Sequence, residues 1–106
     1  MKILENDKYT LISVEESSFS KLKEQLLQIK VNNLLLDLST NINISEEKIL
    51  LFLNIAADLK LKNKSFVVIV KRVNIDDFPE ILNITPTLQE AEDILEMEII
   101  ERDLGF

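Results

Sequence analysis

Residues 34–49, LLLDLSTNINISEEKI, decide the fold. Leu34, Leu35 and Leu36 are consecutive. Side chains alternate across a strand, so such a run is apolar on both faces and predicts a central strand covered on both sides. Asp37 closes the run, and a polar stretch without glycine follows. Ser45 then has the chemistry of a helix N-cap, with Glu46 and Glu47 in the first turn, where the helix dipole favours negative charge. A strand, a short loop and a helix start form a junction where α/β proteins often hold a phosphate, a cofactor or a switch residue.

Reading toward the C-terminus, the helix extends through ISEEKILLFLNIAADLKLKNK. Lys60, Lys62 and Lys64 gather at its far end, and Asn63 can take the left-handed conformation that ends helices. SFVVIVK is the next two-faced strand, NIDDFPEIL a short helix or helical turn interrupted at Pro79, and NITP a last short strand. TLQEAEDILEMEIIERDL closes the chain as a helix, opened by the capping box Thr87-x-x-Glu90 just after Pro86.

Toward the N-terminus, EESSFSKLKEQLLQIK carries Phe19, Leu22, Leu26 and Ile29 at helical spacing, with Ser17 or Ser18 as cap. Before it, KIL (within residues 2–5) and YTLISV (9–14) read as two short strands around the polar turn ENDK. The order is β-β-α-β-α-β-α-β-α. The two strands joined through the second helix should be parallel, with a right-handed crossover. At 106 residues the chain suits one domain spanning 1–106.

Composition excludes several chemistries. Histidine and cysteine are absent, which removes the commonest general base, the commonest transition-metal ligand and any thiolate. A single glycine, Gly105, cannot build a phosphate-cradling loop. The net charge is −7, and residues 90–106 carry seven acids against Arg102, a net of −6, which leaves −1 for residues 1–89. Nucleic-acid binding needs basic patches and is not expected. The acidic segment suits solvent or a basic protein surface. No apolar run approaches a membrane span, and MKILENDKYT lacks the apolar core of a signal peptide, so a cytoplasmic protein without membrane contact is expected.

The element order resembles the STAS domain, the family of anti-sigma-factor antagonists. Three segments carry the resemblance: NNLLLDLS, with its Asp-x-Ser strand end; ISEEKILLFLNIAADLKLKNKSFVVIV, like the family's switch helix and following strand; and ILNITPTLQEAEDIL, with Ala91 at the usual small position. The resemblance implies a mixed four- to five-stranded sheet with a leading β-hairpin and about four helices packed mainly on one face. It also implies a non-enzymatic regulatory module that binds a protein partner, such as an anti-sigma-factor-like kinase, at the start of the second helix. The family's regulatory serine lies in Asp-Ser-Ser-Gly at that helix start. Counted from Asp37-Leu38-Ser39, those positions fall on Ser45, Glu46, Glu47 and Lys48, so Glu46 replaces the phosphoacceptor. Glu46 is then either a fixed phosphoserine mimic or an ordinary acid of a helix first turn.

The candidate partner-binding residues are therefore Asp37, Ser39, Ser45, Glu46, Glu47 and Lys48, with no catalytic, metal or cofactor site expected. Asp37 admits two readings. It can be a ligand-binding or phospho-accepting carboxylate, as in a receiver-like phosphoprotein with Lys71 at the end of the next strand. Or Asp37 and Ser39 hold the following loop by side-chain to backbone hydrogen bonds. An uncovered sheet edge or helix face would allow a homodimer.

Overall fold

A computed structural model describes residues 2–15, 22, 24, 32–39, 45–50, 52–71 and 73–105. Five strands form one sheet in the order β1-β2-β3-β4-β5: Lys2–Glu5, Tyr9–Ser13, Asn33–Asp37, Phe66–Ile69 and Asn83–Thr85. β1 runs antiparallel to β2, and every later pair is parallel. Asn6 makes the hairpin turn: its Oδ1 accepts the N–H groups of Lys8 and Tyr9 at 2.9 and 2.8 Å, the local bonding that suits asparagine to turns.

The parallel register places Leu34 beside Phe66, Leu35 beside Val67 and Leu36 beside Val68. Ile12, Val14, Leu34, Leu36, Leu38, Phe66, Val68 and Val70 share one core cluster, and Leu11, Leu35, Val67 and Ile69 share a second. The central strands are buried on both faces, as the triple leucine predicts.

Among the described residues the α-helical segments are α1 (Glu46–Leu50), α2 (Leu53–Leu61) and α3 (Leu88–Asp103). The helix expected over EESSFSKLKEQLLQIK lies outside them except for Glu15, which precedes any helical turn, and Leu22 and Glu24, both helical. The expected short helix at NIDDFPEIL is a 3-10 turn, Ile75–Asp77, cut short ahead of Pro79. About four α-helices is thus an overestimate for the described chain. The long second helix is also divided: Phe52 N–H bonds Ile49 O, three residues back, before α2 begins.

Helices cover both faces of the sheet, most of them on one. Ile49, Phe52, Ala56 and Leu59, spaced by three and four, lay α1 and α2 on the first cluster with Leu22, Phe78 and Leu82. Phe52 meets Phe66 edge to face, with centroids 6.2 Å apart. α3 covers the opposite face through Ala91 and Leu95, flanked by Ile94 and Ile99. A sheet with two apolar faces must bury both, so three layers result.

Both helix-end signals act as their residues suggest. Asn63 has φ 59°, and the N–H groups of Lys64 and Asn63 reach Leu59 O and Lys60 O at 2.8 and 3.0 Å, a Schellman ending. Thr87 Oγ1 accepts from Glu90 N–H at 3.2 Å and caps α3.

Candidate functional site

Parallel pairing brings the carboxyl ends of β2, β3, β4 and β5 to one edge of the sheet. The ladder runs one residue past the strand ends: Val14 N–H bonds Asp37 O at 3.0 Å, Leu38 N–H bonds Ile69 O at 2.8 Å, and Val70 N–H bonds Thr85 O at 2.9 Å. Leu38 is buried between half-buried Asp37 and Ser39, so the chain leaves the sheet there with its main chain still fixed.

Asp37 Oδ1 accepts Ser39 N–H at 2.9 Å. This is the loop-holding role, a side-chain to backbone bond two residues on. Among the described residues no ion pair joins the carboxylate to Lys71, which is exposed.

At the other side of the junction, Ile49 N–H bonds Ser45 O at 3.2 Å and closes the first turn of α1. Ile49 is fully buried, and Phe52 nearly so, while Ser45, Glu47 and Leu50 are exposed. The helix is thus anchored from below and turns Ser45 and Glu47 outward. Glu46 and Lys48 lie within α1 by their backbone, and their side chains fall outside the described residues, as do residues 40–44 of the loop. Asp37 and Ser39 are brought together. Ser45 and Glu47 form the accessible start of the following helix.

The amino ends of β3 and β4, at the opposite edge, carry a polar cluster that the sequence reading did not anticipate. Buried Asn33 receives Ser65 N–H at 2.8 Å and Arg102 at 3.3 Å through Oδ1, and donates through Nδ2 to Lys8 O at 2.7 Å. Arg102 also donates to Ser65 Oγ at 2.9 Å. A cleft of about 400 Å³ opens beside it, between α2, the turn before β5, and α3. Cations there (Lys60, Lys64, Arg102) are matched by carboxylates (Glu80, Glu98, Glu101), so the cleft has no dominant sign. The one available signal was Arg102, a lone base amid seven acids.

On the α3 face, Tyr9 O–H donates to Glu92 Oε1 at 3.0 Å, and Asn83 Nδ2 donates to Glu98 Oε2 at 3.1 Å. Burial, followed by the Glu92 carboxylate, raises the Tyr9 pKa above its ordinary value of 10.0. No helix among the described residues is long and apolar enough to cross a membrane.

No family model and no curated protein matches the chain. Solved structures do. One is a chain of the stressosome, described as a signal integration and transduction hub, with 22% identity, TM-score 0.63, and coverage of 90% of this chain and 96% of that one. Another is RsbS from Moorella thermoacetica in a serine-to-glutamate form, with 21% identity, TM-score 0.64, and coverage of 90% and 93%. At these identities the likeness is one of fold, and the fold of this chain is STAS-like.

Proposed function

We propose that this chain is a non-enzymatic regulatory module that binds a protein partner through the junction between β3 and α1. The observation that carries the reading is the match of fold over 90% of the chain to components of a signalling assembly. The residues placed at the interface are Asp37 and Ser39, which hold the loop, and Ser45, Glu46, Glu47 and Lys48, which open the helix. Exposure of Ser45 and Glu47 above buried Ile49 supports this arrangement, because a helix start anchored by a buried side chain leaves its outer face open to contact.

Glu46 acts here as a fixed negative charge where the STAS family carries a phosphorylatable serine. A phosphoserine brings about −1.5 to −2 charge, and a glutamate about −1. The serine-to-glutamate form of RsbS has the same fold, so an acid in place of a serine is compatible with this architecture. On this reading the module is held in one state and does not cycle. A protein of the kinase class that regulates such modules fits as the partner.

The test is site-specific photo-crosslinking in native cell extract, with the crosslinker at Glu47 and, as control, at exposed Leu61 at the far end of α2. A discrete protein adduct at Glu47 and not at Leu61 is expected. The purified partner should then bind Glu46→Ala at least tenfold more weakly than wild type. Equal labelling from both positions rejects the junction, and no protein adduct from either rejects the interaction module.

A further inference from the structure

Helix α3 is apolar on two opposite sides. At about 100° per residue, Ala91 and Leu95 define its sheet-facing side, and Met97, Ile100 and Leu104 fall within about 60° of one another on the far side. Those three are 62%, 57% and 67% exposed. Single exposed apolar residues are common on soluble proteins, but three in one stripe, opposite the buried face, mark a surface built to be covered.

The acids around the stripe select what covers it. Glu92 and Glu98 are engaged toward the sheet with Tyr9 and Asn83, and exposed Glu96 pairs with Lys8 at the surface. Glu90, Asp93 and Glu101 are exposed and border the stripe. No ion pair neutralises those three among the described residues. Two copies apposed through this face would set these acids against each other, which disfavours self-association. An anionic lipid surface is disfavoured for the same reason.

We infer that the outer face of α3 is a second docking surface, and that its occupant is a cationic amphipathic helix of another protein. Its apolar ridge would lie on Met97, Ile100 and Leu104, and flanking Lys or Arg would meet Glu90, Asp93 and Glu101. This surface is separate from the β3–α1 junction and does not depend on how Glu46 is read.

The probe is a synthetic 18-residue helix of leucine on one face and lysine on the others. It is compared with a peptide carrying glutamine for leucine and another carrying glutamate for lysine. Titration in low salt should show the leucine/lysine helix binding at least tenfold tighter than both controls. Amide shifts in the protein should concentrate on residues 90–104. The variant M97Q/I100Q/L104Q should lose at least tenfold in affinity with an unchanged melting curve, and I100Q alone should show part of that loss. Unchanged binding by both variants overturns the proposal, as does equal binding of the glutamine peptide, which would mean charge alone. Self-association of the wild type that the triple variant abolishes would make a second copy the occupant and overturn it too.

Discussion

Tyr9 shows what a single side chain contributes at the sheet–helix contact. Its phenol is half-buried and donates to Glu92 on α3, a residue 83 positions away. Burial raises its pKa first, and the neighbouring carboxylate raises it further. The folded value therefore exceeds the unfolded value of about 10. Above that pH the unfolded chain loses the proton while the folded chain keeps it, so stability falls as pH rises. The contribution is complete below the unfolded pKa and disappears as pH climbs through the folded one. Tyr9→Phe should cost about 1 kcal/mol at pH 8, the scale of one hydrogen bond. Urea unfolding from pH 8 to 11 should then show wild type and variant converging toward the alkaline end. No gap at any pH would mean that Tyr9 contributes by packing alone. Asp37 is also understood at this scale. Its turn with Ser39 was legible because aspartate bonds the backbone two residues on wherever a strand gives way to a loop.

At the scale of elements, the clearest agreement between sequence and structure lies at helix ends, where the chemistry is local. Asn63 ends α2 at φ 59° with two reciprocal carbonyl bonds, and Thr87 opens α3 with its hydroxyl. A side chain with Cβ pays about 1–2 kcal/mol for the left-handed region, asparagine less, glycine nothing. Asn63→Ala should lower stability by about 1 kcal/mol, while Asn63→Gly should stay within about 0.5 kcal/mol of wild type, both read by thermal unfolding. Equal losses would point to the Asn63 side chain rather than its backbone. The division of the second helix before Phe52 was not legible, because no proline or glycine interrupts residues 45–64. Ile49, Phe52, Ala56 and Leu59 keep the spacing of three and four across the division, so the apolar pattern reads as one unbroken helix. The side of the sheet that takes α3 was hidden for another reason. Apolar residues occupy both sides of that helix, so its periodicity alone names no buried face.

For the whole molecule, the triple leucine carried most of the architecture, because a strand apolar on both faces forces a layer on each. The polar cluster of Asn33, Ser65 and Arg102 could not be read the same way: its members are 32 to 69 positions apart and meet only once the sheet has formed. The two faces are unequal. Among the described residues the cluster under α3 contains six buried residues, against sixteen under α1 and α2, so each side chain on the smaller side bears more of its layer's cohesion. Leu95 is the large buried side chain that α3 contributes there, at 1% exposure. Leu95→Ala should cost about 3 kcal/mol through lost burial and the cavity left behind, a large part of the about 5–15 kcal/mol that holds a domain of this size. Met97→Ala, two residues on but on the outer side, should stay within about 0.5 kcal/mol. Denaturant unfolding of the two variants side by side checks the orientation of α3 directly. Comparable losses would mean that the helix is rotated from the placement described, and would remove the exposed stripe on which its outer docking surface rests.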